Sequence, residues 1–190
     1  HFALNGLLGI KGVTKDQMGT VFSISPSIEY LERASDSVKY GRLPDNPYVE
    51  FTIPSVINPK FAPNGKHVLS ATVQYAPYHL RGMNWSEELK SQLKNNVVSV
   101  LENYIPNFSS MIESSSLLTP VDLESQFGLT EGNLNHGEMT LDQFMFMRPT
   151  ISSAQYKSPI ENLFLCGPGT HPGGGLHGTN GFNAAKIILK

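Results

Sequence analysis

Apolar positions recur at helical spacing in two stretches of the chain. Between Pro26 and Tyr40 they fall at Ile28, Leu31, Ala34 and Val38, with Ser25 or Ser27 available as N-cap and Gly41 as the stop. That pattern predicts an amphipathic helix. After Ser86, two glutamates open a longer stripe at Leu89, Leu93, Val97, Val100, Leu101 and Tyr104 that runs up to Pro106, a second helix with acidic residues in its first turn. A shorter third helix is signalled by Thr119-Pro120-Val121-Asp122, threonine as N-cap and proline at the first helical position, ending near Phe127 with Gly128 as the stop.

Strand-like segments lie between and before these helices. Phe2 to Ile10 is apolar but interrupted by Gly6 and Gly9, which favours a strand or an extended connection over a helix. Tyr48–Ile53 and His67–Tyr75 are closed by Pro54 and Pro77, and Pro59, Pro63, Asn64 and Gly65 stand between them, so an antiparallel pair is expected. Residues 129–150 show no period, and the apolar run from Gln143 to Pro149 is expected as buried loop or strand. In the tail, Leu163-Phe164-Leu165-Cys166 reads as a short buried strand, Gly167–Gly181 as a glycine-rich turn, and Phe182–Lys190 as a helix. The fold class expected is α+β: an antiparallel or mixed sheet backed by helices, followed by a strand, a glycine loop and a helix.

Composition narrows the function. With 39% hydrophobic and 16% charged residues, and a net charge of -2, the chain is too apolar for disorder and too weakly charged to steer nucleic acid or an anionic membrane. No nucleic-acid partner is expected. The single cysteine, Cys166, excludes an internal disulfide framework or a multi-thiolate zinc site. At the end of an apolar strand it is expected to be a buried small hydrophobe. No apolar run approaches the eighteen or so residues of a spanning helix, and no signal peptide is visible. The chain therefore reads as soluble and not secreted: cytoplasmic in a bacterium, with an organellar matrix open in a eukaryote. Membrane association is not indicated, and the oligomeric state is not legible. It begins at His1, which suggests a fragment of something longer.

Seven of the 17 glycines are clustered near the C-terminus, where Gly167, Gly169, Gly173, Gly174, Gly175, Gly178 and Gly181 fall within fifteen positions. Glycine lets backbone approach a ligand closely, and the amides of a following helix attract phosphate. Gly173 to Gly178 even has the spacing G-x-G-x-x-G, yet the chain ends nine residues after Gly181, too soon for the acidic residue of a dinucleotide fingerprint. From these residues alone, a second phosphate or flavin contact and a plain structural turn are equally open. His171 and His177 flank the triple glycine, but Cys166, His136 and Glu138 make no standard ligand spacing with them, and no metal site is expected. No nucleophile elbow occurs. Tyr75 and Trp85, near strand ends, are candidate pocket residues, as is His136 in the irregular segment; each has core filling or loop hydrogen bonding as its ordinary alternative.

The run Leu163 to Gly175, Leu-Phe-Leu-Cys-Gly-Pro-Gly-Thr-His-Pro-Gly-Gly-Gly, resembles the C-terminal signature of the phytoene dehydrogenase-like FAD-dependent oxidoreductases. Thr119–Glu124, Phe127–Thr130, His136–Glu138, Leu141–Gln143 and Arg148-Pro149 extend the resemblance, and Gln74–Tyr78 carries it further upstream. Thr179, Asn180 and Phe182 depart from the family's pattern. The resemblance implies that residues 1–160 form a substrate-binding domain and that 161–190 return to an FAD-binding Rossmann-like domain whose N-terminal region lies upstream. It implies FAD contacts from Gly167, Gly169, Thr170, His171, Pro172, Gly173, Gly174, Gly175, His177, Gly178 and Gly181, and an apolar or amine small-molecule substrate. No side chain is assigned as acid or base. The chain alone, without the upstream region, is expected to bind FAD poorly and to be inactive. The competing expectation is a non-catalytic module for an apolar ligand or a protein partner.

Overall fold

Alternation of apolar and polar side chains in the first two thirds of the chain produces five antiparallel strands, β1 (Phe2–Leu4), β2 (Phe22–Ile24), β3 (Tyr48–Thr52), β4 (His67–Gln74) and β5 (Ile112–Ser115), in the spatial order β2-β3-β4-β1-β5. The computed structural model describes residues 1–135, 140–144, 147–175 and 177–190. Its residues fall into two units, His1–Val121 and Asp122–Lys190; the sheet belongs to the first. Among the described residues there are six α-helices: α1 (Ile28–Lys39), α2 (Pro54–Ile57), α3 (Glu87–Glu102), α4 (Phe108–Met111), α5 (Pro120–Phe127) and α6 (Thr179–Ile188).

In the first unit, the pleat sends Val49 and Phe51 of β3 to one face, where both are buried, and leaves Tyr48, Glu50 and Thr52 half-buried on the other. Val49 and Phe51 join Phe2, Leu4, Ile24 and Leu69 from neighbouring strands, and Val97, Val100 and Leu101 from α3, in one apolar cluster completed by Ile105 and Phe108. Phe2 meets Phe108 edge to face at 5.3 Å, and Phe22 stacks on its partner Phe51 at 5.1 Å. Each fully buried aliphatic side chain here stabilises by roughly 1.5–3 kcal/mol. The expected pairing of the two middle strands is found, with Tyr48 opposite Gln74 and Thr52 opposite Ser70. Their connection is a short helix and a 3-10 turn (Pro59–Phe61) rather than a plain turn.

The long helices begin and end as their caps dictate. Ser27 accepts from the Tyr30 amide and Ser86 from the Leu89 amide. At the end of α1, Gly41 donates to Val38 and Arg42 to Ser37, the paired bonds of a Schellman motif. Gly41 has φ +63°, and a Cβ there would stand 2.8 Å from the Arg81 amide nitrogen. Only glycine satisfies both conditions without displacement.

The second unit buries Arg148, Ser153, Tyr156, Thr170, Asn180 and Ala184, a largely polar set. In the stretch without a period, Thr130–Gly132 and Leu141–Gln143 form short 3-10 turns. Two expectations are corrected here. Leu163–Cys166 is not a strand: its ladder is reduced to one bridge, Lys157 opposite Phe164, because strand geometry persists only where successive residues find partners. Cys166 is accordingly exposed rather than buried. The last helix starts at Thr179, three residues before the apolar run that announced it.

Candidate functional site

The glycine-rich loop of the second unit is organised by the helix that follows it. Asn180, in the first turn of α6, is 7% exposed, and its side-chain nitrogen points at the carbonyls of Gly167 (3.1 Å), Thr170 (3.0 Å) and Gly173 (3.2 Å). The Thr170 hydroxyl at 3.2 Å and the His171 carbonyl at 3.4 Å complete its surroundings. Two N–H groups are shared among five acceptors, so the amide acts as a common donor that gathers the loop. Thr170 itself donates from both its amide and its hydroxyl to Gly167. One turn along the same helix face, Asn183 donates to the Tyr156 hydroxyl (2.9 Å), which in turn donates to the His171 carbonyl (2.8 Å).

The opposite end of the loop is closed by His177. Its Nδ1 accepts from the Thr179 amide at 3.2 Å, so the ring proton lies on Nε2, which donates to the Gly174 carbonyl at 3.3 Å. His177 thereby caps α6, whose formal N-cap is Gly178 at φ +65°. Gly173, at φ +110°, brings the loop against Arg148: a Cβ would stand 2.9 Å from an Arg148 guanidinium nitrogen. Gly174 and Gly175 back similarly onto Asn135 and His177. By contrast, nothing stands within 4 Å of the Cβ positions of Gly167, Gly169, Gly178 and Gly181. The loop is thus packed at Gly173, Gly174 and Gly175 and leaves open space at Gly167, Gly169 and Gly178, as α6 does at Gly181. That arrangement fits a flat or phosphate-bearing group resting on main chain, which is what an FAD contact requires of it.

The candidate substrate-side residues are placed separately. Tyr75 is 38% exposed and lines a groove of about 330 Å³ on the open face of the sheet, with Ser23, Tyr48, Glu50, Thr72 and Gln74. Trp85 is half-buried and donates its indole N–H to the Pro77 carbonyl (3.0 Å), fastening the loop ahead of α3; it is not among the groove's lining residues. His136 lies outside the described residues. Among the described residues, no group of three His, Cys, Asp or Glu side chains is gathered as metal ligands, and no helix is long and apolar enough to cross a membrane. Tyr156, Asn180 and Asn183 were not foreseen as organisers of the loop. The departure of Asn180 from the family's pattern was the one signal available for it.

Sequence comparison gives the class: the chain belongs to the phytoene dehydrogenase-like oxidoreductases. Within that class it is 42% identical over 161 residues to pyridine nucleotide-disulfide oxidoreductase domain-containing protein 2 of Rattus norvegicus, covering 84% of this chain and 28% of the relative. It is also 27% identical over 178 residues to a limonene dehydrogenase polypeptide of Castellaniella defragrans (90% of this chain, 31% of the relative). With the lycopene-forming phytoene desaturase of a Paracoccus species the identity is 26% over 176 residues (91% and 33%). The chain therefore spans about a third or less of the length of these relatives and matches a C-terminal part of them. No family model matches the chain.

Proposed function

We propose that this chain is the C-terminal part of an FAD-dependent oxidoreductase. Residues 1–160 would bind the substrate, and residues 161–190 would contribute the glycine loop and α6 to the flavin domain. When bound, FAD supplies the hydride acceptor for oxidation of a C–H or C–N bond. The chain's own residues then have positional roles. Asn180, Asn183 and Tyr156 fix the loop, and the open space at the Cβ positions of Gly167, Gly169, Gly178 and Gly181 is where the cofactor would rest, with Thr170 to Gly175 and His177 shaping the turn. The observation that carries this reading is the loop held by the Asn180 amide through Gly167, Thr170, His171 and Gly173 while four glycine Cβ positions stand in open space. The names of the relatives, a desaturase and a dehydrogenase, support redox chemistry at carbon.

On this reading Leu163–Cys166 gains strand partners only from the upstream nucleotide-binding region, which accounts for its single bridge and for the exposure of Leu163 and Cys166. The test is the visible absorption spectrum of the protein with its upstream region present. A flavin spectrum that bleaches anaerobically with a substrate is the expected result. A colourless protein that takes up no added FAD would reduce the loop to a structural turn and leave a non-catalytic binding module as the better account.

A further inference from the structure

The open face of the sheet is polar by register. Ser23 pairs with Glu50, and Glu50 with Thr72, so three strands place these side chains in one row. Tyr48 pairs with Gln74 in the next row. The pleat that buries Val49 and Phe51 on the core face must turn this set the other way. A polar sheet face is ordinarily just solvated. Here Leu31 of α1 and Tyr75, beyond the end of β4, stand beside it, and the face becomes a groove of about 330 Å³. Glu50 is half-buried in it. One carboxylate oxygen accepts from the Tyr48 hydroxyl at 3.2 Å, and Tyr48 is in turn 3.2 Å from the Ser23 hydroxyl. Among the described residues, no Lys, Arg or His forms an ion pair with Glu50.

We propose that this groove binds an ammonium group of a small organic ligand, with Glu50 as its counter-charge. An ammonium offers three donors and no acceptor, which the remaining Glu50 oxygen and the Ser23 and Thr72 hydroxyls complement. Tyr48 and Tyr75 are ring systems of the kind that attract cations when partly desolvated. A hydrocarbon would gain little here, since its arrival would strip water from a carboxylate without replacing the lost hydrogen bonds. The inference rests on the proposed function only for what becomes of the ligand, where it selects an amine over an apolar substrate; binding itself requires no flavin.

The experiment is a titration of the 190-residue chain with benzylamine, and in parallel with benzyl alcohol, followed by backbone amide NMR shifts. Saturable shifts confined to residues 23–25, 48–50 and 72–75 are expected with the amine and not with the alcohol. Glu50→Gln should weaken amine binding by about tenfold or more, the usual scale for a lost charge-assisted hydrogen bond. Thr72→Lys, which supplies an ammonium from the neighbouring strand, should abolish it while leaving the amide spectrum dispersed, and it serves if Glu50→Gln does not fold. Equal binding of amine and alcohol, undiminished binding to Thr72→Lys, or no saturable shift would each overturn the proposal. A full-length flavoprotein whose sheet ignores amines would sink the groove and spare the flavin; a colourless one that binds benzylamine here would do the reverse.

Discussion

Asn180 is the residue on which the most structure turns for the fewest atoms. Losing a buried donor that several carbonyls share removes one bond from each of them, at about 1–3 kcal/mol in total. Asn180→Ala is therefore expected to destabilise the second unit by that amount in chemical denaturation. Asn180→Asp should cost more, because an ionised carboxylate can only accept and would face the carbonyls of Gly167, Thr170 and Gly173. An aspartate variant as stable as the alanine one would show that the amide does not hold the loop as described. Tyr30 carries a different residue-scale consequence. Its hydroxyl donates to the Pro47 carbonyl at 2.7 Å, and burial, with a smaller push from Tyr104, raises its pKa above the ordinary tyrosine value. A raised folded-state pKa contributes stability that is fully present below about pH 10, the unfolded value, and is lost as pH rises through the folded one. Tyr30→Phe should lose about 1 kcal/mol at neutral pH, and its stability should fall less steeply than the parent's on the alkaline side. Parallel pH profiles above pH 10 would remove Tyr30 from that account.

At the scale of elements, the glycines separate conformational from steric constraint. Gly41→Ala meets a left-handed φ and the Arg81 backbone together, and is expected to cost roughly 1–2 kcal/mol from the backbone conformation alone, with the close approach adding to it. Gly65→Ala meets φ +78° in open space and should cost only the conformational part. Gly9→Ala meets neither obstacle and should be neutral or stabilising by up to about 1 kcal/mol. Thermal denaturation of the three variants checks the order, and a Gly41 variant as stable as the Gly65 one would remove the steric contribution.

The same elements show what was legible beforehand. α1 and α3 were readable because apolar period and caps agree in each, Ser27 with Gly41 and Ser86 with Pro106. β2 and β5 were not, since Phe22–Ile24 and Ile112–Ser115 are too short to display a period and owe their conformation to β3 and β1. Leu163–Cys166 failed in the opposite sense: local sequence favours a strand, but a ladder is a property of two segments, and one bridge is what the described residues provide. At the site, glycine clustering located the loop, while the bond from Tyr156 to His171 became visible only in three dimensions. Tyr75 was chosen for its ring, yet the groove's polarity comes from Tyr48, Glu50 and Thr72, whose common face follows from strand register.

At the scale of the whole molecule, the two units differ in what their interiors are made of, and this sets where the chain should open first. The first unit encloses Val49, Leu69, Val97, Leu101, Ile105 and Phe108, each at most 2% exposed, from strands and helices distant in sequence. Apolar burial of that kind is lost all at once, so amides of β3, β4 and α3 should exchange only through unfolding of the unit as a body. Among the described residues, the second unit's buried set holds Ala184 and the Tyr156 ring among polar groups; the order of these residues depends on hydrogen bonds, each contributing only about 0.5–1.5 kcal/mol net. Leu141, Ile151, Ile160 and Leu189 are meanwhile 65–87% exposed, so apolar surface that could stabilise the unit is left in water. Native-state hydrogen exchange should accordingly show protection in β3, β4 and α3 exceeding that of the Gly173 and Phe182 amides by several orders of magnitude. If FAD and the upstream region rest on this loop, protection at Gly173 and Phe182 should rise in the full-length flavoprotein while that of β3 and β4 changes little, since ligand binding stabilises the elements it holds. Equal protection across both units in the 190-residue chain would mean that polar contacts centred on Asn180 and Tyr156 stabilise the second unit as strongly as the apolar core stabilises the first.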